Sequence, residues 1–135
     1  MSALYVDTSA LGKLVTPEAE STAMHELWSS YDGELVSSDL ARTELRRHAG
    51  RCEPSRQDQA GRVLAALTLI PLLPRITEAA GRLGPPHLRS LDALHLATAL
   101  ELGDDLEAVV TYDRRQADAA RQLGLRVVTP GTHVP

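Results

Sequence analysis

The sequence predicts an α/β fold, a three-layer α/β/α sandwich built around a mainly parallel sheet of five strands. Short apolar runs alternate along the chain with longer segments whose apolar residues recur at helical spacing. Such alternation favours parallel strands that are covered by helices on both faces. The length of 135 residues fits one compact unit, so we expect residues 1–135 to form a single domain.

Five apolar runs are predicted to be the strands, because runs of about four or five such residues between turn-forming residues are typical of buried strands. They cover residues 3–6, 34–37, 69–73, 108–111 and 125–128. Pro71, in the third run, has no N–H to donate to a neighbouring strand. The third strand is therefore expected at an edge of the sheet.

Helices are predicted between the strands from capping residues and from apolar residues at helical spacing. Thr8 or Ser9 is expected to cap the first helix, and Pro17 is expected to lie in the first turn of the second. Ser38 and Ser90 are expected to cap two later helices. In full, the predicted helices cover residues 9–14, 17–31, 39–49, 56–67, 75–83, 91–102 and 114–123, and residues 130–135 are expected to be a loose tail.

Composition excludes several classes of protein. The single cysteine, Cys52, excludes an internal disulfide and a zinc site made of thiolates. No run approaches the roughly 18 apolar residues of a membrane span, and the N-terminus does not resemble a secretion signal. We therefore expect a cytoplasmic protein without membrane contact. Thirteen of the fourteen basic residues are arginine, which suits phosphate binding but also follows from a codon bias.

Four acidic residues are predicted to meet at one edge of the sheet. Asp7 closes the first strand, and Asp113 lies two residues beyond the fourth. Glu44 lies about two turns into the helix after the second strand, and Asp92 lies in the first turn of its helix. Ligands of open parallel sheets bind beyond the carboxyl ends of the strands, which is where these four residues are expected to converge.

Such a cluster needs a cation. Two carboxylates about 4 Å apart repel each other by roughly 4 kcal/mol at an effective dielectric constant near 20. Oxygen ligands alone indicate a hard ion, Mg²⁺ or Mn²⁺, that also binds phosphate. Taken singly, each acid has an ordinary explanation, since Asp7 and Asp113 are placed to cap helices, Asp92 to favour a helix dipole, and Glu44 to pair with a nearby cation. The functional prediction depends on the set.

The segments around these acids resemble the PIN-domain nucleases, specifically the VapC-type toxin ribonucleases of VapBC toxin–antitoxin pairs. The resemblance covers nearly the whole chain, with the four acid-bearing motifs in family order. It rests on residues 4–11 (LYVDTSAL), 37–45 (SSDLARTEL), 91–99 (LDALHLATA), 110–113 (VTYD) and 124–128 (GLRVV). It implies a PIN-like fold and a metal-dependent endoribonuclease that hydrolyses RNA phosphodiester bonds.

The resemblance also implies roles for individual residues. Asp7 and Asp92 would be the leading metal ligands, while Glu44 and Asp113 would bind a second metal or orient water. Ser9 and Thr111 would hydrogen-bond these carboxylates. The arginines that flank the acidic segments are candidate phosphate contacts as a group, namely Arg42, Arg46, Arg47, Arg89, Arg114 and Arg115.

Partners and one further residue follow from the same comparison. The family implies a VapB-type antitoxin, and homodimers are common in it. Met24, Leu27 and Trp28 lie on one helix face, where core burial is favoured for the first two and a protein interface for Trp28. His95 lies one turn from Asp92, and we expect it to be a packed or hydrogen-bonded helix residue rather than part of the site.

Other functions fit the pattern less well. A phosphoacceptor receiver needs a lysine near a late strand, but Lys13 is the only lysine; an aspartyl phosphatase needs a second aspartate where Ser9 stands. A dinucleotide enzyme needs a glycine-rich first turn, which is absent. The serious alternative is a catalytically inactive PIN-like module that binds RNA or protein. DNA as the substrate is disfavoured only by family analogy.

Overall fold

The computed structural model describes residues 1–132 and has the predicted α/β architecture. Five strands form one sheet, in the order β3-β2-β1-β4-β5, and every neighbouring pair is parallel. The strands are β1 (Ala3–Val6), β2 (Glu34–Ser38), β3 (Thr68–Ile70), β4 (Leu106–Val110) and β5 (Val127–Val128). The prediction that the third strand lies at an edge is confirmed, and Pro71 falls just beyond its end.

Seven α-helices occur in the described residues, with two short 3₁₀ turns, Pro54–Arg56 and Gly103–Asp105. The α-helices are α1 (Thr8–Val15), α2 (Ser21–Ser30), α3 (Leu40–Cys52), α4 (Gln57–Ala65), α5 (Pro74–Gly81), α6 (Ser90–Leu100) and α7 (Arg114–Gln122).

Alternate side chains of the central strand enter separate cores on the two faces of the sheet. Leu4 and Val6 pack with apolar residues of α1 to α4. Ala3 and Tyr5 pack with Leu96 of α6 and with alanines of α7. A smaller cluster joins α5 to α6. Helices thus cover both faces, as the predicted three-layer sandwich requires.

The second helix begins later than predicted. Pro17 was expected in its first turn, but α2 begins at Ser21. Residues 16–20 instead form a turn, in which the Ser21 hydroxyl accepts a hydrogen bond from the Glu18 N–H and donates to the Thr16 carbonyl. Lys13 also pairs with Glu18 and Glu20. These local contacts hold the turn, so the helix begins only after Glu20 despite the proline signal.

Other boundaries differ for local reasons. The helix predicted to end at residue 49 continues through Gly50 to Cys52, because Leu45 and Ala49 are buried while Gly50 faces solvent. Ser90 does not cap α6; it is the first helical residue, and no side chain caps this end. Of the tail predicted to be loose, Pro130 accepts a hydrogen bond from the Tyr112 hydroxyl, and residues 133–135 lie outside the described residues.

No helix in residues 1–132 is long and apolar enough to cross a membrane.

Gln116, on the sheet-facing side of α7, is fully buried, and within residues 1–132 neither polar atom of its side chain has a hydrogen-bond partner. An unsatisfied buried polar group destabilises a protein by about 1–3 kcal/mol. We therefore expect Gln116→Met, which keeps the side-chain length, to raise the free energy of unfolding in urea by about that amount. The matched change at the exposed residue Gln122, Gln122→Met, should alter the free energy of unfolding by less than about 0.5 kcal/mol. A loss of stability in Gln116→Met would contradict this prediction.

Candidate active site

Asp7 lies where the central strand ends, and the fold holds its carboxylate rigidly. Oδ1 accepts hydrogen bonds from the Ser9 hydroxyl (2.6 Å) and the Ala10 N–H (3.2 Å), and Oδ2 accepts one from the Thr111 hydroxyl (2.5 Å). The Ala10 bond makes Asp7, rather than Thr8 or Ser9, the cap of α1. Burial raises the pKa of Asp7, although the bonds from Ser9 and Thr111 oppose the shift.

Glu44 is held by residues from two other elements. Its Oε1 accepts a hydrogen bond from the Thr8 hydroxyl of α1 (2.8 Å) and contacts Nε2 of His95 of α6 (2.7 Å). Nδ1 of His95 lies 2.6 Å from the hydroxyl of Tyr5. Because an ionised carboxylate only accepts, Nε2 carries the proton shared with Glu44. In the neutral ring, Nδ1 then accepts from Tyr5.

The environment of Glu44 favours its ionised form. Burial alone would raise the pKa of Glu44. The hydrogen bond from His95, the charge that this ring carries when protonated, and the bond from Thr8 together outweigh burial and lower the pKa. Tyr5 shows the opposite effect. Burial, and then the negative charge of Asp7, raise the pKa of Tyr5 well above its ordinary value. The Tyr5 hydroxyl therefore keeps its proton beside His95.

Asp92 and Asp113 form the more open side of the cluster. Burial, and then the negative charge of Asp113, raise the pKa of Asp92, with a smaller contribution from Glu44. Asp113 caps α7, as its Oδ1 accepts from the N–H groups of Arg115 (2.9 Å) and Gln116 (3.2 Å). Within residues 1–132 the Asp92 carboxylate accepts no hydrogen bond, so nothing in this part of the chain compensates its charge except the fields of His95 and Arg89.

His95 was expected to be a packed or hydrogen-bonded helix residue, which is confirmed, but its hydrogen-bond partner was not predicted. His95 is buried, and that partner is Glu44. Its charge also acts on Asp7 and Asp92. Tyr5 and Thr8 were not predicted as functional residues. The spacing of Asp92 and His95, which places both on one face of α6, was the available signal.

The donor set suits a hard divalent cation, because all four predicted ligands offer carboxylate oxygens and two of them have raised pKa values. Among residues 1–132, however, no three His, Cys, Asp or Glu side chains converge closely enough to hold a metal ion together. A full protein cage is therefore absent from the described residues. Mg²⁺ is commonly held by one or two carboxylates, with waters and substrate phosphates completing its coordination. The acids fit an ion bound in that way.

The six candidate arginines are all exposed, but they fall into different surroundings. Arg42 pairs with Asp39, and Arg46 donates hydrogen bonds to Gln57 of α4. Arg89 and Arg115 form no ion pair within the described residues, and both line a pocket that Asp92 also lines. These two are therefore the arginines best placed to meet a ligand of the acidic cluster.

The face of α2 that was considered for protein contacts is mainly part of the core. Met24 is fully buried, and Leu27 and Trp28 are partly buried and pack against the same cluster. Core burial is thus confirmed for Met24. Trp28 keeps some exposure and stays the better interface candidate of the three.

Comparison with known proteins is consistent with this geometry. Residues 4–122 match the family model of the PIN domain. The chain is 43% identical over 130 residues to ribonuclease VapC46 of Mycobacterium tuberculosis, covering 96% of this chain and 99% of that protein. It is 37% identical over 132 residues to ribonuclease VapC47 of the same species, covering 95% and 97%.

A solved structure has a similar fold. Mycobacterium tuberculosis VapC20, described as a toxin that cleaves the sarcin-ricin loop, superposes with a TM-score of 0.76 at 19% sequence identity. The match covers 94% of this chain and 99% of that one. At this level of identity the likeness concerns the fold alone.

Proposed function

We infer the function from the family, because this chain belongs to the PIN-domain family and to its VapC ribonucleases. We propose that it is a divalent-metal-dependent endoribonuclease and the toxin of a toxin–antitoxin pair. Its reaction would be hydrolysis of an RNA phosphodiester bond at the acidic cluster. We propose further that residues 1–135 act as one domain, in the cytoplasm.

One observation carries the proposal. Asp7 is almost fully buried, yet three hydrogen bonds fix both of its oxygens at the carboxyl end of the central strand. Burying a carboxylate without a countercharge destabilises the folded state. A protein that only binds RNA gains nothing from further negative charge beside phosphate. A site for a cation explains why Asp7 is buried and why Asp92 lies within the charge fields of Asp113 and Glu44.

Roles for the residues follow from their contacts. Asp7 and Asp92 would hold the ion, with Glu44 and Asp113 as further ligands or as acceptors for water. Bound there, Mg²⁺ or Mn²⁺ lowers the pKa of a coordinated water and offsets phosphate charge. Ser9 and Thr111 orient Asp7. His95 and Thr8 orient Glu44 and keep it ionised, so that it can accept a proton or a hydrogen bond from water.

The proposed partners are an RNA substrate and a VapB-type antitoxin. The relatives are ribonucleases by name, and the resemblance to VapC-type toxins implies the antitoxin. We propose a homodimer, with the partly exposed Trp28 of α2 as the candidate contact residue.

The decisive test is RNA cleavage by the purified protein, freed of any antitoxin. Total cellular RNA would be incubated with Mg²⁺, with Mn²⁺ and with EDTA, beside the Asp7→Asn variant. We expect discrete fragments that require the metal and are absent with the variant, and mapping their ends would identify the target. Folded protein that cuts no RNA under any condition would instead support the non-catalytic binding module.

Burial of the proposed metal ligands also predicts a particular dependence of stability on pH. Because burial raises the pKa of Asp7 and Asp92 above the ordinary value of 3.8, the folded state holds protons that the unfolded state releases. The stabilisation that Asp7 and Asp92 provide in this way is complete below their ordinary pKa of 3.8. It is lost as pH rises through their raised pKa values. The lowered pKa of Glu44 acts in the opposite sense, since its contribution is present above 4.5 and lost as pH falls.

In EDTA, the Tm of Asp7→Asn should therefore exceed that of the wild type, by a difference that grows from about pH 4 to about pH 7. Added Mn²⁺ should raise the Tm of the wild type at about pH 7 and narrow this difference, because an ion bound only by the folded state stabilises it. Parallel curves for the two proteins in EDTA would contradict the raised pKa of Asp7. An equal effect of Mn²⁺ on both proteins would contradict a metal site at Asp7.

A further inference from the structure

A pocket of about 240 Å³ lies between the start of α6 and the outer face of α7, directly beside the acidic cluster. Asp92 belongs to both the pocket and the acidic cluster, since it lines the pocket and the charge of Asp113 raises its pKa. Leu88 and Ala119 also line this pocket, with Arg89, Arg115 and Gln122. None of the roles proposed above uses the interior of the pocket.

The walls of the pocket combine an apolar surface with polar groups at its rim. Leu88 and Ala119 contribute apolar atoms to the wall of the pocket, against which a flat ring can pack. Arg89 and Arg115 are exposed and form no ion pair in residues 1–132, which leaves their guanidinium groups free to stack on a base or to contact phosphate. Gln122 carries both a donor and an acceptor, as reading the edge of a base requires.

The fold fixes this pocket relative to the acids. The Asp113 carboxylate accepts a hydrogen bond from the backbone N–H of Arg115, and the charge of Arg89 acts on Asp92 three residues later in the chain. A ligand whose phosphate lies at the acids would therefore bring its neighbouring group to the pocket. In RNA, that group is a nucleoside.

We infer that this pocket holds the base of the nucleotide next to the scissile phosphate, and so helps to choose the bond that is cut. The inference rests on the proposed ribonuclease function. It requires an unpaired base, because a base stacked and paired within a duplex cannot enter a side pocket. The substrate segment is therefore single-stranded, such as a loop.

Binding can be tested without catalysis. The four nucleoside 5′-monophosphates would be titrated separately into the protein while the methyl NMR signals of Leu88 and Ala119 are followed. We expect at least one nucleotide to shift both signals, and Arg115→Ala to weaken that binding about tenfold, since base stacking contacts are commonly of this size. Arg126→Ala removes the same charge at an exposed residue that does not line the pocket, and it should leave binding unchanged. Absence of shifts at Leu88 and Ala119 with every nucleotide would overturn the inference.

Cleavage of a randomised single-stranded RNA, with sequencing of the new ends, tests specificity. We expect the wild type and Arg126→Ala to share a base preference at one position beside the cut, and the double change Arg115→Ala with Gln122→Ala to flatten it. An unchanged preference in the double variant would overturn the inference while leaving the nuclease intact. Conversely, nucleotide-induced shifts without cleavage of any RNA would refute the nuclease function and leave a nucleotide-binding pocket.

Discussion

Replacing Asp7 with asparagine is expected to lower the rate of RNA cleavage by about 1000-fold or more, since metal-assisted charge stabilisation contributes several kcal/mol and about 4 kcal/mol corresponds to this factor. The change removes one negative charge and no volume. The hydroxyl of Ser9 and the N–H of Ala10 can still donate to the remaining carbonyl oxygen. The new amide can donate to the Thr111 oxygen. The fold should therefore survive.

Two measurements separate this effect from misfolding or contamination. Circular dichroism and thermal unfolding in EDTA should show a variant that is folded and, at neutral pH, more stable than the wild type, because it no longer buries a charge. Asp58→Asn makes the same chemical change at an exposed acid of α4 and should keep cleavage within about twofold, as expected for a surface substitution. Equal cleavage by Asp7→Asn and the wild type would show that the acidic cluster is not the site.

The positions of Asp7 and Asp113 in the fold can be predicted from the sequence because local rules place them. Asp7 and Asp113 follow strands that any apolar run of this kind would form, and parallel strands end at a common edge. The two interpretations weighed for each acid are also compatible. Both residues do cap helices, but Asp113 uses only Oδ1 for this purpose. The second carboxylate oxygen of Asp7, Oδ2, accepts a hydrogen bond from the Thr111 hydroxyl.

What the sequence does not predict depends on contacts between distant segments. His95 and Glu44 are 51 positions apart, and their contact exists only because α3 and α6 approach the same edge of the sheet. Tyr5 and His95 are 90 positions apart. The late start of α2 has a local cause instead, since Lys13 and Ser21 hold the turn of residues 16–20 against the signal of Pro17. Local propensity is a weak guide wherever such contacts compete with it.

His95 is expected to act as a positioning residue for Glu44, and His95→Ala should lower kcat by about 10–100-fold, the usual range when a residue that orients a metal-site carboxylate is lost. KM should change little, because His95 is buried and is not expected to touch RNA. His95→Gln can still donate a hydrogen bond to Glu44 and should recover most of the lost activity. Tyr5→Phe, which removes only the hydroxyl beside Nδ1, should have a smaller effect than His95→Ala.

A merely structural role for His95 would also lower activity, so a double-mutant cycle with Glu44→Gln is needed. If His95 works through Glu44, the double variant should lower kcat little more than Glu44→Gln alone. The effects of substitutions within one hydrogen-bonded network are not additive. Independent effects that multiply would refute the positioning role. Since the Glu44 carboxylate shares one oxygen between Thr8 and His95, the loss of His95 leaves a single bond from Thr8 to hold it. The Glu44 side chain can then adopt more rotamers, and the smaller population of the productive rotamer is the physical cause of the lower rate.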